Sequence, residues 1–293
     1  VVTKISFNKE LINRYDRAGP RYTSYPTALQ FSTAYGSSDY IEAVEQSNND
    51  PIPSPLSLYF HIPFCNSICY YCGCSKIITK DHGKASDYTK LLIREIKLQG
   101  QLFARDRKVT QMHWGGGTPT FLQDDEIQLI LNTAAEHFTL DDEDNREYSI
   151  EVDPRTVTAG RLLNLRSMGF NRISFGIQDF DPEVQAAVNR VQDKQLILAN
   201  ISAAKEFEFH SINIDLMYGL PKQTINSFSK TLDQVIAADP DRIAIYNYAH
   251  MPELFKPQRR INADDLPKPD VKLELLQLSI ERLEQAGYVY IGM

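Results

Sequence analysis

All four cysteines of the 293-residue chain fall in one short stretch, Cys65, Cys69, Cys72 and Cys74, spaced C-x3-C-x2-C-x-C. Thiols that close together form one site. A disulfide framework belongs to short secreted chains with cysteines spread along their length, which this is not. Structural zinc is commonly held between two separated C-x2-C pairs, and no second pair exists; His61, His82 and His113 show no i, i+4 spacing that would complete such a site. The four-cysteine ferredoxin run C-x2-C-x2-C-x3-C also differs. The remaining arrangement takes Cys65, Cys69 and Cys72 as three ligands of a 4Fe-4S cluster, which leaves one iron free of protein and open to chemistry. Cys74 is then surplus, either a small buried side chain or a redox or hydrogen donor at the site.

Other residues of chemical interest follow at intervals. Gly115, Gly116 and Gly117, before Thr118 and Pro119, form either a tight turn or an edge of bare N–H groups that an anion or a strand-like ligand can approach. Glu151 and Asp153 read as solvated rim carboxylates or as ligands for an ammonium or a ribose hydroxyl. Asp215 interrupts the apolar context of Ile212, Ile214, Leu216 and Met217, where a carboxylate needs partners or a ligand. Arg14, Arg17 and Arg21, beside Tyr15, Tyr22 and Tyr25, are surface cations or a receptor for a carboxylate-rich ligand.

The elements that must position these residues alternate. Strand-like runs are read at 56–62, 109–114, 148–152, 172–177, 211–217, 242–248 and 288–291. Between them lie helical faces: Tyr88, Leu91, Leu92 and Ile96; Ile127, Ile130, Leu131, Ala134 and Phe138; Leu196, Ala199, Ala203 and Phe207; Phe228, Leu232, Val235 and Ile236; Leu273, Leu276, Ile280 and Leu283. Asp181-Pro182-Glu183 opens a helix, and Gly169 and Gly287 close two others. Strand and helix in alternation mean an α/β protein with a parallel sheet, and the count suits an open or incomplete parallel (β/α) barrel, with a doubly wound sheet as the alternative. In such barrels the site gathers at the C-terminal strand ends. Cys65, the glycines, Glu151, Gln178 with Asp179, Asp215 and Ala249 all fall at or near such ends.

With 42% hydrophobic residues the chain buries a substantial core. A net charge of -7 without lysine or arginine runs speaks against a general nucleic-acid binder. No apolar run reaches membrane-span length and no signal-peptide pattern precedes the fold, so no membrane partner and a cytoplasmic location are expected, in keeping with clustered reduced thiols. Residues 1–50, without helical or strand period, are expected to form an extended N-terminal arm, and 51–293 the barrel. Val1 in place of an initiator Met, and a terminal strand with no turn after it, point to a fragment of a longer protein.

Cys65, Cys69 and Cys72 carry a spacing that resembles the signature of radical S-adenosylmethionine (SAM) enzymes. A closer match follows from His61-Ile62-Pro63-Phe64-Cys65, Cys72-Gly73-Cys74, Trp114 through Thr120, Ile150 through Arg155, Gly176-Ile177-Gln178-Asp179, Val188-Asn189-Arg190, Asn213 through Leu216 and the arm Gly19 through Thr27. Together they resemble the oxygen-independent coproporphyrinogen III oxidases over essentially the whole chain. The resemblance implies oxidative decarboxylation of two propionates of coproporphyrinogen III to the vinyl groups of protoporphyrinogen IX by a 5'-deoxyadenosyl radical, in heme and porphyrin biosynthesis.

It also implies a 4Fe-4S cluster and two SAM molecules, the first contacted by Tyr59, Gly116 and Glu151, the second by Tyr71, Gly117, Thr118, Gln178, Arg190, Asp215 and Ala249. Tyr71 stands where the family has Phe. Cys74 and Tyr59 are the candidate catalytic residues, and Arg14, Arg17 and Arg21 the candidate substrate carboxylate receptors. An electron donor of flavodoxin or ferredoxin type, an electron acceptor and a monomeric state are expected. The family continues into a C-terminal domain, so the chain is expected to assemble the cluster but turn over poorly. The rival reading is a heme-binding chaperone of the same superfamily, whose members carry an aromatic residue at the position of Cys74 and lack the arm.

Overall fold

A computed structural model describes residues 7–15, 27 and 30–292. In chain order the strands are β1 (Leu56–Ile62), β2 (Phe64–Cys65), β3 (Ile77–Ile78), β4 (Lys108–Gly116), β5 (Thr139–Leu140), β6 (Glu147–Val152), β7 (Arg172–Gln178), β8 (Ser211–Tyr218) and β9 (Arg242–Asn247). The helices are α1 (Lys9–Tyr15), α2 (Ser37–Asn48), α3 (His82–Gly100), α4 (Asp124–His137), α5 (Ala159–Ser167), α6 (Pro182–Ala187), α7 (Lys194–Glu206), α8 (Ile225–Ala238) and α9 (Pro269–Gln285).

The strands alternate in burial because successive side chains point to opposite faces. Phe60, Ile62, Met112, Trp114, Ile150, Val152, Phe175, Ile177, Ile214 and Leu216 are buried in the main core, together with Ile127, Ile130, Leu162, Leu165, Phe228, Leu232 and Leu275 of the helices. The opposite face carries Tyr59, His61, His113, Ser149, Glu151, Ser174, Asn213 and Asp215, all more accessible than their apolar neighbours. One face therefore builds the protein and the other is left for function.

The large sheet runs β1-β4-β6-β7-β8-β9, with β5 pairing the start of β4, and every pairing is parallel. Its order follows the chain without reversal. A doubly wound sheet must reverse at a switch point, so the topology selects the singly wound, open barrel-like reading. β1 and β9 end the order, and among the described residues no pairing joins them. Cross-strand register aligns the polar face: Tyr59 lies beside His113, His113 beside Ser149, Glu151 beside Ser174, and Gly176 beside Asp215.

Helix punctuation follows the expected rules. Asp181 Oδ1 accepts from the N–H groups of Glu183 and Val184 at the start of α6, with Pro182 in the first turn. Gly169 and Gly287 take φ of +104° and +93° just after α5 and α9. Three expectations are corrected. The first fifty residues are not simply extended, since α1 and α2 lie among them. Residues 288–291 form no strand; Tyr288 instead donates its N–H to Leu283 and its hydroxyl to Pro240. The packed face of α7 is Ile197, Asn200, Ile201, Ala203 and Ala204, while Leu196 and Ala199 face outward.

Candidate active site

The cysteines sit on a loop clipped at its base. β2 pairs with β3, so Phe64 meets Ile77 and Cys65 meets Ile78, and the intervening residues leave and return at one point. Other elements hold the excursion from outside: Tyr70 donates its N–H to the Val188 carbonyl at 2.9 Å, Asn189 Nδ2 donates to Ile68 O at 2.7 Å, and Gln258 Nε2 donates to Tyr71 O at 3.0 Å. Asn189 has φ +53°, a left-handed backbone that asparagine tolerates well. Lys76 Nζ donates to the carbonyls of Cys72 and Cys74 at 3.0 and 3.1 Å.

Below this loop lies a cavity of ≈ 400 Å³ at the C-terminal strand ends. The side chains or backbone of Cys65, Cys69, Cys72, Cys74, Gly116, Gly117, Thr118, Glu151, Gln178, Arg190, Asp215 and Tyr71 reach it, which gathers most of the residues singled out in the sequence. The glycines are required by close approach. A Cβ on Gly115 would lie 2.9 Å from the Glu151 carboxyl, on Gly116 2.7 Å from the His61 ring, and on Gly117 2.8 Å from the backbone of Pro63 and Phe64.

The thiols are held unequally. Burial raises the Cys65 thiol, though a contact with Thr118 Oγ1 at 3.5 Å works the other way. Cys72 is lowered toward the thiolate, first by a hydrogen bond from Cys74 and further by Lys76, while the Cys74 thiol that donates it is raised. Cys69 Sγ faces two guanidiniums, Arg190 Nη1 at 3.4 Å and Arg155 Nη2 at 3.8 Å. At Cys72 the shift is toward thiolate, the form that ligates metal. Among the described residues no three His, Cys, Asp or Glu groups converge on a single-ion site.

Arg190 is 6% exposed, its Nη2 donates to Gly176 O and its Nη1 reaches Asp153 Oδ2 at 3.2 Å. Among the described residues its Nε is buried without a partner, a donor left over for a ligand. Asp153 is therefore no solvated rim group: it is nine-tenths buried and also takes Arg155 at 2.6 Å. Burial works to raise its carboxyl, but the two arginines more than offset this and hold it below the usual range. Asp215 goes the opposite way, pushed up to about 6 by burial and by the charge of Glu151 against hydrogen bonds from Ser174 at 3.0 Å and Asn213 at 2.8 Å. Gln178 reaches the cavity from a φ of +71° at a register shift in β7. Its neighbour Asp179 is buried as a brace, accepting from Thr231 Oγ1 at 2.7 Å, Asp181 N at 2.7 Å and Gln223 Nε2 at 2.5 Å.

Some expected residues lie elsewhere. Tyr59 is exposed beside the cavity rather than lining it, with its ring on His113 and its hydroxyl 3.1 Å from His61 Nδ1. Ala249 is exposed and outside the lining, its carbonyl taken by Gln258 Nε2. Cys74 is exposed, not a buried small side chain. Arg14 is exposed on α1 over the Tyr15 ring, and Arg17 and Arg21 lie outside the described residues. The sequence reading missed Lys76, Arg155 and Thr156 in the lining and His113 behind Glu151. Lys76 two residues after the last cysteine was the one local signal available.

The sequence matches the radical SAM superfamily over residues 59–235. The chain belongs to that superfamily, which implies a 4Fe-4S cluster and SAM. Among its relatives, the oxygen-independent coproporphyrinogen III oxidase of Pseudomonas aeruginosa is 51% identical over 99% of this chain, and that of Escherichia coli 48% identical over all of it. The chain spans 62% of the length of each. The solved structure of the Escherichia coli coproporphyrinogen III oxidase, described as a radical SAM enzyme, superposes with a TM-score of 0.91 at 47% identity, covering 99% of this chain and 64% of that one. A more distant structure, SuiB of Streptococcus suis bound to the precursor peptide SuiA, has a TM-score of 0.51 at 16% identity and shares the fold. Among the described residues no helix is long and apolar enough to cross a membrane.

Proposed function

We propose that the chain carries the catalytic barrel of an oxygen-independent coproporphyrinogen III oxidase, which converts two propionates of coproporphyrinogen III to vinyl groups in heme biosynthesis. The observation that carries this reading is the convergence of Cys65, Cys69 and Cys72 with the Gly116–Gly117 edge, Glu151, Arg190 and Asp215 on one cavity, in a chain about half identical to oxidases along its whole length.

Cys65, Cys69 and Cys72 would hold the 4Fe-4S cluster, since the donor set is soft, already biased toward thiolate at Cys72, and faces guanidiniums. The cluster with SAM supplies the one-electron chemistry that begins C–H cleavage on the substrate. The chain's own residues bind and orient. Glu151, whose Oε2 has the Gly116 N–H 3.4 Å away, offers its carboxylate to the amino group of one SAM molecule beside the Gly116 edge, with Tyr59 packed behind. Tyr71, Gly117, Thr118, Gln178, Arg190 and Asp215, which all reach the cavity, would serve a second, with Ala249 outside the lining. The unpartnered Arg190 Nε is a donor for that molecule's acceptor atoms. Cys74, exposed at the cavity, would exchange hydrogen or an electron with a bound reactant, a role its exposure there supports.

Each propionate loses CO2, one proton and two electrons on becoming a vinyl group, so an electron acceptor is required, and a flavodoxin or ferredoxin would supply the priming electron. Arg14, Arg17 and Arg21 would receive substrate carboxylates. The protein is read as a cytoplasmic monomer. Anaerobic reconstitution with iron, sulfide, SAM and reductant tests the reading: iron uptake, 5'-deoxyadenosine and a vinyl product from coproporphyrinogen III are expected. A polypeptide that takes up no iron, or in which loss of any one of the three thiolates leaves the absorbance unchanged, overturns it.

A further inference from the structure

We propose that His113 is a positioning residue that fixes the Glu151 carboxylate for an amine-bearing ligand of the cavity, an inference that rests on the SAM-binding reading above. His113 Nε2 lies 3.0 Å from Glu151 Oε1, and His113 Nδ1 lies 2.6 Å from Ser149 Oγ. An ionised carboxylate only accepts, so Nε2 must carry the hydrogen. In the neutral ring Nδ1 then accepts, and the Ser149 hydroxyl donates to it rather than to Met112 O at 3.4 Å. The result is a one-way chain, Ser149 to His113 to Glu151, that leaves Oε2 for other donors. Oε2 has the Gly116 N–H 3.4 Å away, and Gly115 provides the space that a Cβ would take from the carboxyl.

The ring itself is held. Tyr59 stacks on it with centroids 5.8 Å apart and planes 11° from parallel. The Tyr59 hydroxyl meets His61 Nδ1, whose other nitrogen, Nε2, lies 2.9 Å from the Ser75 carbonyl. A carbonyl only accepts, so His61 donates from Nε2 and accepts from Tyr59. The cysteine loop is thereby joined to Glu151 through Tyr59 and His113, which gives Tyr59 a reason to lie outside the cavity.

The test is SAM affinity of the reconstituted, iron-loaded protein, measured by equilibrium dialysis, with iron content and thermal midpoint recorded for each variant. His113→Leu should weaken SAM binding about tenfold at unchanged iron content, in line with the usual effect of losing a partner that orients a ligand group. His113→Gln, whose Nε2 also donates, should restore affinity to within about twofold of the wild type. Glu151→Gln should weaken binding, and the double variant H113L/E151Q should bind no worse than E151Q, because both act through one carboxylate. Should H113L fail to fold, Ser149→Ala, which frees the ring, is expected to cost about threefold. Wild-type affinity in H113L, in S149A where H113L cannot be studied, or losses that multiply in the double variant, would overturn the proposal alone. A wild type that loads iron but binds no SAM would overturn the SAM reading with it.

Discussion

Arg190 and Asp153 form an ion pair at 3.2 Å in which both side chains are less than a tenth exposed. Asp153 also binds Arg155, so one carboxylate balances two guanidiniums next to Cys69. Removing one member of a buried pair strands the other's charge. Asp153→Ala is therefore expected to destabilise the fold by about 3 kcal/mol, read from urea midpoints at pH 7. The pH dependence has a definite sign. Because the arginines hold Asp153 below its unfolded value, its contribution is complete above about pH 5 and is lost as pH falls through the folded value. Wild type and D153A should converge in stability toward low pH, and a constant gap down to pH 2 would count against the pair.

Asp215 predicts the opposite trend. Its carboxyl is raised to about 6, so folding favours the protonated form and the ionised form costs stability. The cost is absent below about pH 4, grows through the folded value and is complete above about pH 7. Asp215→Asn should be about 1–2 kcal/mol more stable than wild type at pH 8, a figure reduced for partial exposure, and no more stable at pH 4. If Asp215 serves a ligand of the cavity, as proposed, the same variant should also lose affinity for it. Equal urea midpoints at pH 8 would contradict the argument.

The six long strands were legible because each alternates apolar and polar residues or runs apolar, and their bounds differ from expectation by at most a residue or two at each end. The α4 face was legible too, since Ile127, Ile130, Leu131, Ala134 and Phe138 are all buried. The α7 face was not, because Asn200 sits on it, buried and donating to Pro154 O and Val157 O; a polar residue in the packed stripe shifted the apparent phase. α2 escaped notice because only Val44 is buried on it. The β2–β3 clip left no pattern at all, since two-residue strands with exposed Ile77 and Ile78 carry no period. At the site, residue types were readable and partners were not: Asp153 announces a carboxylate, and only the fold brings Arg190 to it from 37 positions away.

The glycines separate crowding from conformation. Gly117→Ala puts a methyl 2.8 Å from backbone atoms of Pro63 and Phe64, which cannot swing aside. It is expected to destabilise the fold by about 2–3 kcal/mol and, by moving the strand that leads into Cys65, to reduce iron uptake on reconstitution. Gly160, in the first turn of α5, has nothing within 4 Å of the same added methyl. Gly160→Ala should instead stabilise by about 0.5 kcal/mol through helix propensity. Thermal midpoints moving in opposite directions check both, and a neutral G117A would show that the glycine edge is less tightly packed than its distances indicate.

Cys72 and Cys74 make the sharpest division within the cysteine loop. Both reach the cavity, yet the hydrogen bond between them is asymmetric, lowering Cys72 toward thiolate and raising Cys74 as the thiol that donates. Lys76 donates to the backbone carbonyls of both residues, at 3.0 and 3.1 Å, and its charge favours thiolate at each, so it does not create the difference. If three thiolates hold the cluster and the fourth thiol only leans on one of them, serine at the two positions must behave differently. Cys72→Ser should abolish most iron uptake and the associated visible absorbance, as should C65S and C69S. Cys74→Ser should load iron like the wild type, because a serine hydroxyl can still donate to Cys72, while formation of vinyl product, where the wild type shows it, falls at least about tenfold if the thiol exchanges hydrogen or an electron. Iron content falling equally in C72S and C74S would make Cys74 a ligand and undo the three-plus-one assignment.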